Sequence, residues 1–226
     1  MLIDFHSHTL PMADHGCDGA IIAEAQLDRA HSAGVDVLCV TPHFYPHRHT
    51  VEIFRRKKEV GKALLEGIVP EGLRLVFGAE VLLCEGLDGM EGLEELCFEG
   101  TSTMLLELPD RPFNEDLADT VQRIEWRGIT VVYAHIERYP AATRRAALSV
   151  CSRVQMNYAS VAGLFRAGYA KKMAKEGHLV ALGGDMHMQG DPYKLLPRVK
   201  KVLGSAFGDV QKSAAELLGL YKKSGK

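Results

Sequence analysis

Short apolar runs alternate with longer amphipathic stretches along almost the whole chain. The short runs predict seven β-strands, at 2–5, 35–41, 73–78, 103–107, 129–134, 153–157 and 179–183. The longer stretches predict helices at roughly 19–33, 51–68, 115–127, 141–151, 161–176, 192–203 and 209–222. Units of strand, helix and strand that repeat this regularly join parallel strands through right-handed crossovers. The alternation therefore predicts an α/β fold.

Two architectures satisfy this alternation, a doubly wound sheet and a barrel. No G-x-G-x-x-G motif follows the first predicted strand, which disfavours the dinucleotide-binding form of the doubly wound sheet. The chain has 226 residues and seven predicted strands, whereas a full eight-stranded barrel typically takes about 250 residues. We therefore expect residues 1–226 to form one domain, a truncated or seven-stranded (β/α)7 TIM-like barrel.

Charge and hydropathy exclude several classes of partner. The formal net charge is -2, and the basic residues are scattered except at 55–58 and at 222–223, so a nucleic-acid-binding surface is not expected. The N-terminus lacks the pattern of a signal peptide, and nowhere do 18 apolar residues run together. We expect a cytoplasmic protein without membrane insertion.

The cysteines point to neither disulfides nor a zinc knuckle. They are odd in number, five in all, and none has the C-x-x-C spacing. A cysteine phosphatase loop needs an arginine six positions after its nucleophile, and no cysteine of this chain has one. Any phosphatase chemistry must therefore use another route.

Polar side chains stand at the carboxyl end of every predicted strand. The first strand runs into His6 and His8, and because successive side chains of a strand face opposite ways, these two imidazoles point the same way. The strand ends together carry His6, His8, His43, Glu80, Glu107, His135, Asn157, Asp185 and His187. Barrel enzymes build their active sites at this rim, so the pattern predicts one shared site.

The chemistry of this set points to divalent metal ions. Carboxylates that converge without cations repel one another and are costly to bury. Imidazole and carboxylate ligands without thiolate suit manganese, iron or zinc, and so many ligands exceed the needs of one ion. A cluster of ions activates water and stabilises the oxygens of a phosphoryl displacement. Metal-dependent phosphoester hydrolysis follows, with Arg138, close to His135, placed to bind phosphate oxygens.

Six motifs within residues 4–187, in one order, carry a resemblance: DFHSH, TPH, GAE, LLELP, AHIERY and GDMH. The chain resembles the polymerase and histidinol phosphatase (PHP) superfamily, whose domain is a distorted seven-stranded βα barrel. Within it, the chain most resembles the bacterial manganese-dependent protein-tyrosine phosphatases of capsular and exopolysaccharide synthesis. The resemblance implies a phosphotyrosine protein as substrate, a tyrosine kinase of polysaccharide assembly, and a cluster of three ions, with manganese ahead of iron or zinc.

The resemblance also implies which residues hold each ion. The first ion takes His6, His8, Glu80 and Asp185, and the second takes Glu80, Glu107 and His135. The third takes His43, His187 and one residue of the segment 14–16. Here the chain reads Asp-His-Gly where the phosphatases usually read Asp-Asp-Gly. The position before the glycine favours His15, and Asp14 is the alternative. Arg138, Asp185 and His187 are the implied catalytic residues.

The metal ligands also have a structural interpretation. His6 and His8 are core histidines if backbone groups satisfy their nitrogens, and Glu80 and Glu107 are surface carboxylates if their strands end at solvent. Each glutamate, however, closes an apolar strand, where an unpaired charge is expensive. The convergence of the whole set on one rim favours ligation.

Three further residues lie near the predicted site, and two of them have two interpretations each. Arg138 binds substrate phosphate or forms an ion pair with its neighbour Glu137. Asn157 orients a ligand or caps a helix. Tyr45, in the loop 44–50, is predicted to form a wall of the substrate cleft.

Two other functions compete with the tyrosine phosphatase. The first keeps the chemistry and changes the substrate, as in a small-molecule phosphatase resembling histidinol-phosphate phosphatase, or a phosphodiesterase. The second is a non-catalytic metal-binding protein. The complete set of ligands argues against the second, because a decayed enzyme is expected to lose some of them.

Overall fold

The computed structural model describes residues 1–221, so the basic pair 222–223 and the last residue of the predicted 209–222 helix lie outside the described residues. The strands are β1 (Ile3–Ser7), β2 (Val37–Val40), β3 (His43–Phe44), β4 (Arg74–Phe77), β5 (Glu80–Leu82), β6 (Thr103–Glu107), β7 (Thr130–Tyr133), β8 (Val154–Asn157) and β9 (Leu179–Gly183). The α-helices are α1 (Ala20–Ser32), α2 (Val51–Leu65), α3 (Glu115–Trp126), α4 (Ala141–Val150), α5 (Tyr158–Ala162), α6 (Ala167–Lys175), α7 (Leu196–Leu203) and α8 (Ala206–Leu217).

The strands form two parallel sheets. One has the order β1-β2-β4 and the other the order β3-β5-β6-β7-β8-β9, with every registered pair parallel. The predicted α/β fold with parallel strands is confirmed. The predicted count of seven strands in one barrel is not confirmed, because the described residues form nine strands in sheets of three and six.

Two short strands, β3 and β5, which lie beyond the ends of the predicted strands 35–41 and 73–78, account for the difference. The stretch that starts as β2 is interrupted at Pro42, which has no N–H for a sheet ladder, and resumes as β3. The stretch that starts as β4 is interrupted at Gly78, where an added Cβ would lie 2.8 Å from the Phe98 ring, and resumes as β5. After each break the chain joins the larger sheet, where His43 is in register with Glu80.

The two sheets meet where β1 passes the residues that follow β9. Ser7 and Met186 form an isolated parallel bridge, His8 N donates to Met186 O at 3.0 Å, and Asp185 N donates to His6 O at 2.8 Å. These backbone bonds bring the end of the first strand beside Asp185.

The core has two parts because alternate strand residues face opposite ways. One apolar cluster gathers residues of both sheets around Phe5 and Phe98, whose rings lie 4.7 Å apart edge to face. The other, larger cluster packs the opposite strand faces against the helices. α8 adds Ala214 and Ala215 to the first cluster, and Leu218 follows directly after the helix, so this segment covers the end of the cluster where β1 and β6 begin. The polar strand ends therefore stand at the other, open end.

Side chains cap two of the helices at their N-terminal ends. Asn114 accepts a hydrogen bond from Leu117 N and so caps α3, as Thr50 does from Ile53 N for α2. The predicted 161–176 helix is divided into α5 and α6, and the last helix ends at Leu217, two residues before Gly219 with its positive φ of 65°. Within residues 1–221, no helix combines the length and the apolar character needed to cross a membrane.

Candidate metal centre

The two sheets deliver the predicted ligands to one end of the fold. His6 lies in β1 and His8 directly after it, His43 begins β3, Glu80 begins β5 and Glu107 ends β6. The remaining ligands follow β7 and β9 on tight turns: His135, Asp185 and His187. His135 and Asp185 have φ values of 29° and 50°, a conformation that side-chain-bearing residues rarely adopt. Backbone strain at these two turns is what aims both side chains at the site.

Glu80 lies at the centre of the site and is fully buried. Its Oε2 is 3.2 Å from Nε2 of both His6 and His8, and 3.0 Å from His43 Nδ1. Its Oε1 is 2.6 Å from His135 Nε2. One carboxylate therefore contacts four imidazoles, which is the arrangement expected of a bridging ligand.

The described residues contain four convergent groups of metal-binding atoms. The groups are His6, His8 and Asp185; His6, Glu80 and His135; His43, Glu80 and Glu107; and His8, His43 and His187. The Nε2 atoms of His6 and His8 are 3.1 Å apart. Ligands of one ion at about 2.1 Å are themselves separated by about 3.0 to 3.4 Å, depending on the angle between them. The spacing thus suits a divalent cation.

Unsatisfied buried atoms support the same interpretation. Within the described part of the chain, Glu80 Oε2 and His43 Nδ1 are buried without a hydrogen bond of good geometry, although they are 3.0 Å apart. Buried polar atoms are normally paired, so two facing each other in this way require an explanation. A cation that accepts both lone pairs provides it, and the residues present fit such an ion.

The surroundings shift the pKa values of the three carboxylates of the site in different directions. Burial opposes the charged form of Glu80, but His6 and His135 outweigh it and hold its pKa well below the usual range. Burial and the neighbouring charge of Glu80 raise the pKa of Glu107. Burial opposes the ionised form of Asp185 as well, yet His6 and His8 lower its pKa.

Asp14 supports the site from behind His8. Its Oδ2 accepts from His8 Nδ1 at 2.7 Å and from His43 N at 2.8 Å, while its Oδ1 accepts from Gly16 N at 2.8 Å. These bonds occupy both oxygens and leave His8 Nε2 facing Glu80. A carboxylate that fixes a ligating histidine in this way is a common partner of metal sites.

His15 does not join a convergent group in the described residues. Its exposed ring stacks beside those of His43 and His187, with centroids 5.1 and 4.8 Å away. His43 and His187 converge with His8 instead. The structure thus brings together the two predicted histidines of the third ion, but neither His15 nor Asp14 with them.

Arg138 and Tyr45 border the site. The side chain of Arg138 is 57% exposed, and its guanidinium donates to Asp185 Oδ2 at 3.3 Å, so it keeps donors free for a ligand. The Tyr45 ring stacks on His43 with centroids 5.1 Å apart. Burial, followed by the charge of Glu107, raises the pKa of Tyr45 to about 12.

Two residues near the site have roles that sequence reasoning missed or left open. Asp4 is fully buried and accepts from His6 N, Gly184 N and Tyr193 Oη, which ties β1 to the turn that carries Asp185. Burial raises the pKa of Asp4 to about 6. An aspartate inside the apolar run 2–5 was the available signal. Asn157 donates to Asp185 Oδ2 at 2.8 Å and makes no side-chain cap on α5.

Comparison with known proteins identifies the family. Residues 2–215 match the profile of the family described as capsular polysaccharide synthesis, CpsB/CapC. The chain belongs to the CpsB/CapC family. The resemblance drawn from the six motifs to the phosphatases of capsular polysaccharide synthesis is thereby confirmed.

Individual members and solved structures agree with this assignment. The CpsB/CapC chain is 28% identical over 149 residues to the tyrosine-protein phosphatase CpsB of Streptococcus pneumoniae, which covers 62% of this chain and 58% of that relative. The match thus spans little more than half the length of the curated relative.

Two solved structures share the fold. One belongs to the set of YwqE from Bacillus subtilis and CpsB from Streptococcus pneumoniae, described as unique metal-dependent tyrosine phosphatases, with a TM-score of 0.77, 18% identity, and 98% and 96% of the two chains covered. The other is a probable 2-pyrone-4,6-dicarboxylic acid hydrolase of Acinetobacter baumannii, with a TM-score of 0.53, 13% identity, and 96% and 99% covered.

The bonds of Asp14 generate a prediction. Asp14→Asn keeps the shape but removes the charged acceptor that holds His8 Nδ1, so we expect divalent metal to bind about 10- to 100-fold more weakly. A Zn²⁺ titration of the metal-stripped variant measures this. Asp18→Asn, an exposed neighbour, is the control and should bind as the wild type does. Equal affinities for the three proteins would show that Asp14 does not support the site.

Proposed function

We propose that this chain is a metal-dependent protein-tyrosine phosphatase of capsular polysaccharide synthesis. The observation that carries the proposal is the contact of the single buried Glu80 carboxylate with four imidazoles, in a chain of the CpsB/CapC family. The curated relative is a tyrosine-protein phosphatase, and YwqE and CpsB, whose fold the chain shares, are described as metal-dependent tyrosine phosphatases. We propose the same activity here, in one cytoplasmic domain spanning residues 1–226.

The proposed cluster holds three divalent ions, manganese ahead of iron or zinc. The first ion is held by His6, His8, Glu80 and Asp185, and the second by Glu80, Glu107 and His135. The third is held by His43 and His187, which lie in one convergent group of ligand atoms near His8. His15 or Asp14 completes the third site only if the loop 14–16 turns inward. We further propose that the two sheets are arcs of one distorted barrel, joined at the Ser7–Met186 bridge.

Bound divalent ions supply the Lewis acidity that activates water and neutralises phosphate oxygens. The chain supplies position and charge around them. Asp4 and Asp14 hold the backbone and the ring of the first two histidines in place. Arg138, already anchored on Asp185, offers its free N–H groups to the remaining phosphate oxygens. Tyr45 provides a flat wall for the aromatic ring of the substrate.

The proposed substrate is a phosphotyrosine protein, a tyrosine kinase of polysaccharide assembly. An aromatic wall beside the cluster favours an aryl phosphate over an alkyl phosphate, because ring contacts add binding energy that a small alkyl group lacks. The capsular role of the family is consistent with such a kinase.

Substrate preference is the first test. With Mn²⁺ present, we expect kcat/KM to be highest for a phosphotyrosine peptide, lower for histidinol phosphate and lowest for a phosphodiester. His6→Ala should lower kcat/KM by more than about 100-fold. Substituting a residue that only hydrogen-bonds a metal ligand typically lowers metal affinity or activity about 10- to 100-fold, and His6 is a proposed ligand itself. His31→Ala, on the exposed face of α1, is the matched control. No preference for the peptide would leave a small-molecule phosphatase as the better assignment.

The role of Arg138 is tested by measuring both kcat/KM and the amount of bound metal in Arg138→Ala. Arg138→Ala removes charge-assisted bonds worth about 1.5 to 3 kcal/mol each, so kcat/KM for the peptide should fall about 10- to 100-fold. Metal content, measured by elemental analysis, should not change. Arg145→Ala, exposed on α4, should behave as the wild type. Loss of metal in Arg138→Ala would instead assign Arg138 to the support of Asp185.

Tyr45 is tested through KM. Tyr45→Ala should raise KM for the phosphotyrosine peptide several-fold, since stacked aromatic contacts are worth about 0.5 to 1.5 kcal/mol, while metal content stays the same. Tyr45→Phe retains the ring and should keep KM near the wild-type value. A KM unchanged in Tyr45→Ala would remove this residue from the substrate site.

A further inference from the structure

Gln155 is a fully buried glutamine in the middle of β8, beneath the candidate metal centre. Its Oε1 accepts from the backbone N–H of His135 at 2.7 Å and lies 3.3 Å from His6 Nδ1. Its Nε2 donates to Asn157 Oδ1 at 2.8 Å. One buried amide therefore touches the backbone or ring of two predicted ligands.

Chemistry determines which way this amide faces. The backbone N–H of His135 is always a donor, so the atom 2.7 Å from it must be the glutamine oxygen. The NH2 group of Gln155 must then face Asn157, whose Oδ1 is the acceptor. The NH2 group of Asn157 must in turn face Asp185 Oδ2, which it does at 2.8 Å. The donor and the acceptor of all three hydrogen bonds are therefore determined by the backbone N–H of His135.

The same direction determines the protonation pattern of His6. Because Gln155 Oε1 can only accept, His6 Nδ1 must carry the proton of that contact. In neutral His6 the lone pair is then on Nε2, the atom that lies 3.2 Å from Glu80 Oε2 and 3.1 Å from His8 Nε2. The opposite tautomer would point a proton at the centre of the site.

The hydrogen bond from Asn157, at the other end of this series, sets the rotation of the Asp185 carboxylate. Asn157 holds Oδ2, so Oδ1 is the oxygen turned toward the two histidines, 3.7 Å from His6 Nε2 and 3.5 Å from His8 Nε2. Gly183 makes room for this arrangement. A Cβ there would lie 2.5 Å from His6 Cβ and 2.8 Å from Gln155 Nε2.

We propose that Gln155 and Asn157 are positioning residues of the metal centre, a pair of amides that selects the Nε2-ligating tautomer of His6 and turns Asp185 Oδ1 toward the same ion. The inference rests on the metal cluster of the proposed function. It adds a requirement that neither the family assignment nor the ligand set contains, namely that two neutral side chains of β8 decide how tightly the first ion binds.

The test uses Zn²⁺ on the metal-stripped full chain, because this ion is diamagnetic and allows the ¹⁵N shifts of the histidine rings to be read by NMR. Gln155→Leu should weaken Zn²⁺ binding about 10- to 100-fold and, in the metal-free protein with neutral His6, abolish the single Nδ1-protonated signature of that ring. Gln155→Glu keeps an oxygen for both N–H groups and should restore that signature. Asn157→Ala should weaken Zn²⁺ binding and leave the His6 tautomer as in the wild type.

Gln211→Leu is the matched control. Gln211 is also a buried glutamine that accepts a backbone N–H, that of Ile3, but it lies on α8 and touches none of the predicted ligands. Its substitution should lower thermal stability without changing Zn²⁺ affinity. This control separates the general loss of stability on removing a buried amide from the specific effect of Gln155 on the metal centre.

The inference is overturned if folded Gln155→Leu binds Zn²⁺ as the wild type does and retains the Nδ1-protonated signature. If Gln155→Leu does not fold, unchanged Zn²⁺ affinity in Asn157→Ala overturns it. Failure of the proposed function gives a different result. If the wild type does not hydrolyse phosphotyrosine, its Zn²⁺ affinity and the ¹⁵N signature of His6 can still be measured. A wild type that binds no divalent ion overturns the cluster and the positioning pair together.

Discussion

The rest of the structure depends on a buried negative charge at the first residue of β5. A lone ionised carboxylate removed from water is costly, and Glu80 is fully buried with four imidazoles around it. Those imidazoles come from β1 and the residue after it, from β3 and from the turn after β7, so the fold must hold several strand ends at one point. Divalent cations turn this cost into binding energy, and metal binding is then coupled to the stability of the fold.

The conformation of the backbone, as well as the choice of ligand residues, determines the geometry of the site. The breaks at Pro42 and Gly78 move β3 and β5 into the larger sheet, where His43 and Glu80 become neighbours. The positive φ values of His135 and Asp185 then aim two more side chains inward. Local strain of this kind persists only where surrounding bonds maintain it. Asp4, which binds both β1 and the turn at Gly184, is one such support.

The sequence predicted the alternation of strands and helices, and it placed the candidate ligands near strand ends, because both depend on local patterns. Alternation within β1 put His6 and His8 on one face, and a carboxylate after an apolar strand marked Glu80 and Glu107 as candidate ligands. One feature had no local signal. The exchange of strands between sheets depends on how Gly78 packs against Phe98, which lies 20 positions away.

The residues that hydrogen-bond the proposed ligands were harder still to predict, because such a residue has no fixed distance in sequence from the ligand it contacts. Asp14 was considered only as a ligand, yet both its oxygens are occupied by His8, His43 and Gly16. His15 was the favoured ligand from its position before the glycine, but its ring stacks at the edge of the site. Gln155 escaped notice entirely, since a glutamine within an apolar strand resembles an ordinary buried amide.

Metal stoichiometry tests the central claim most directly. Elemental analysis of the purified wild type and of Glu80→Gln measures whether this carboxylate bridges cations. The account predicts several divalent ions in the wild type, three in the cluster proposed above, and the loss of at least two of them in Glu80→Gln while the fold is retained. A wild type without bound divalent ions, or a Glu80→Gln protein with the full complement, would contradict it.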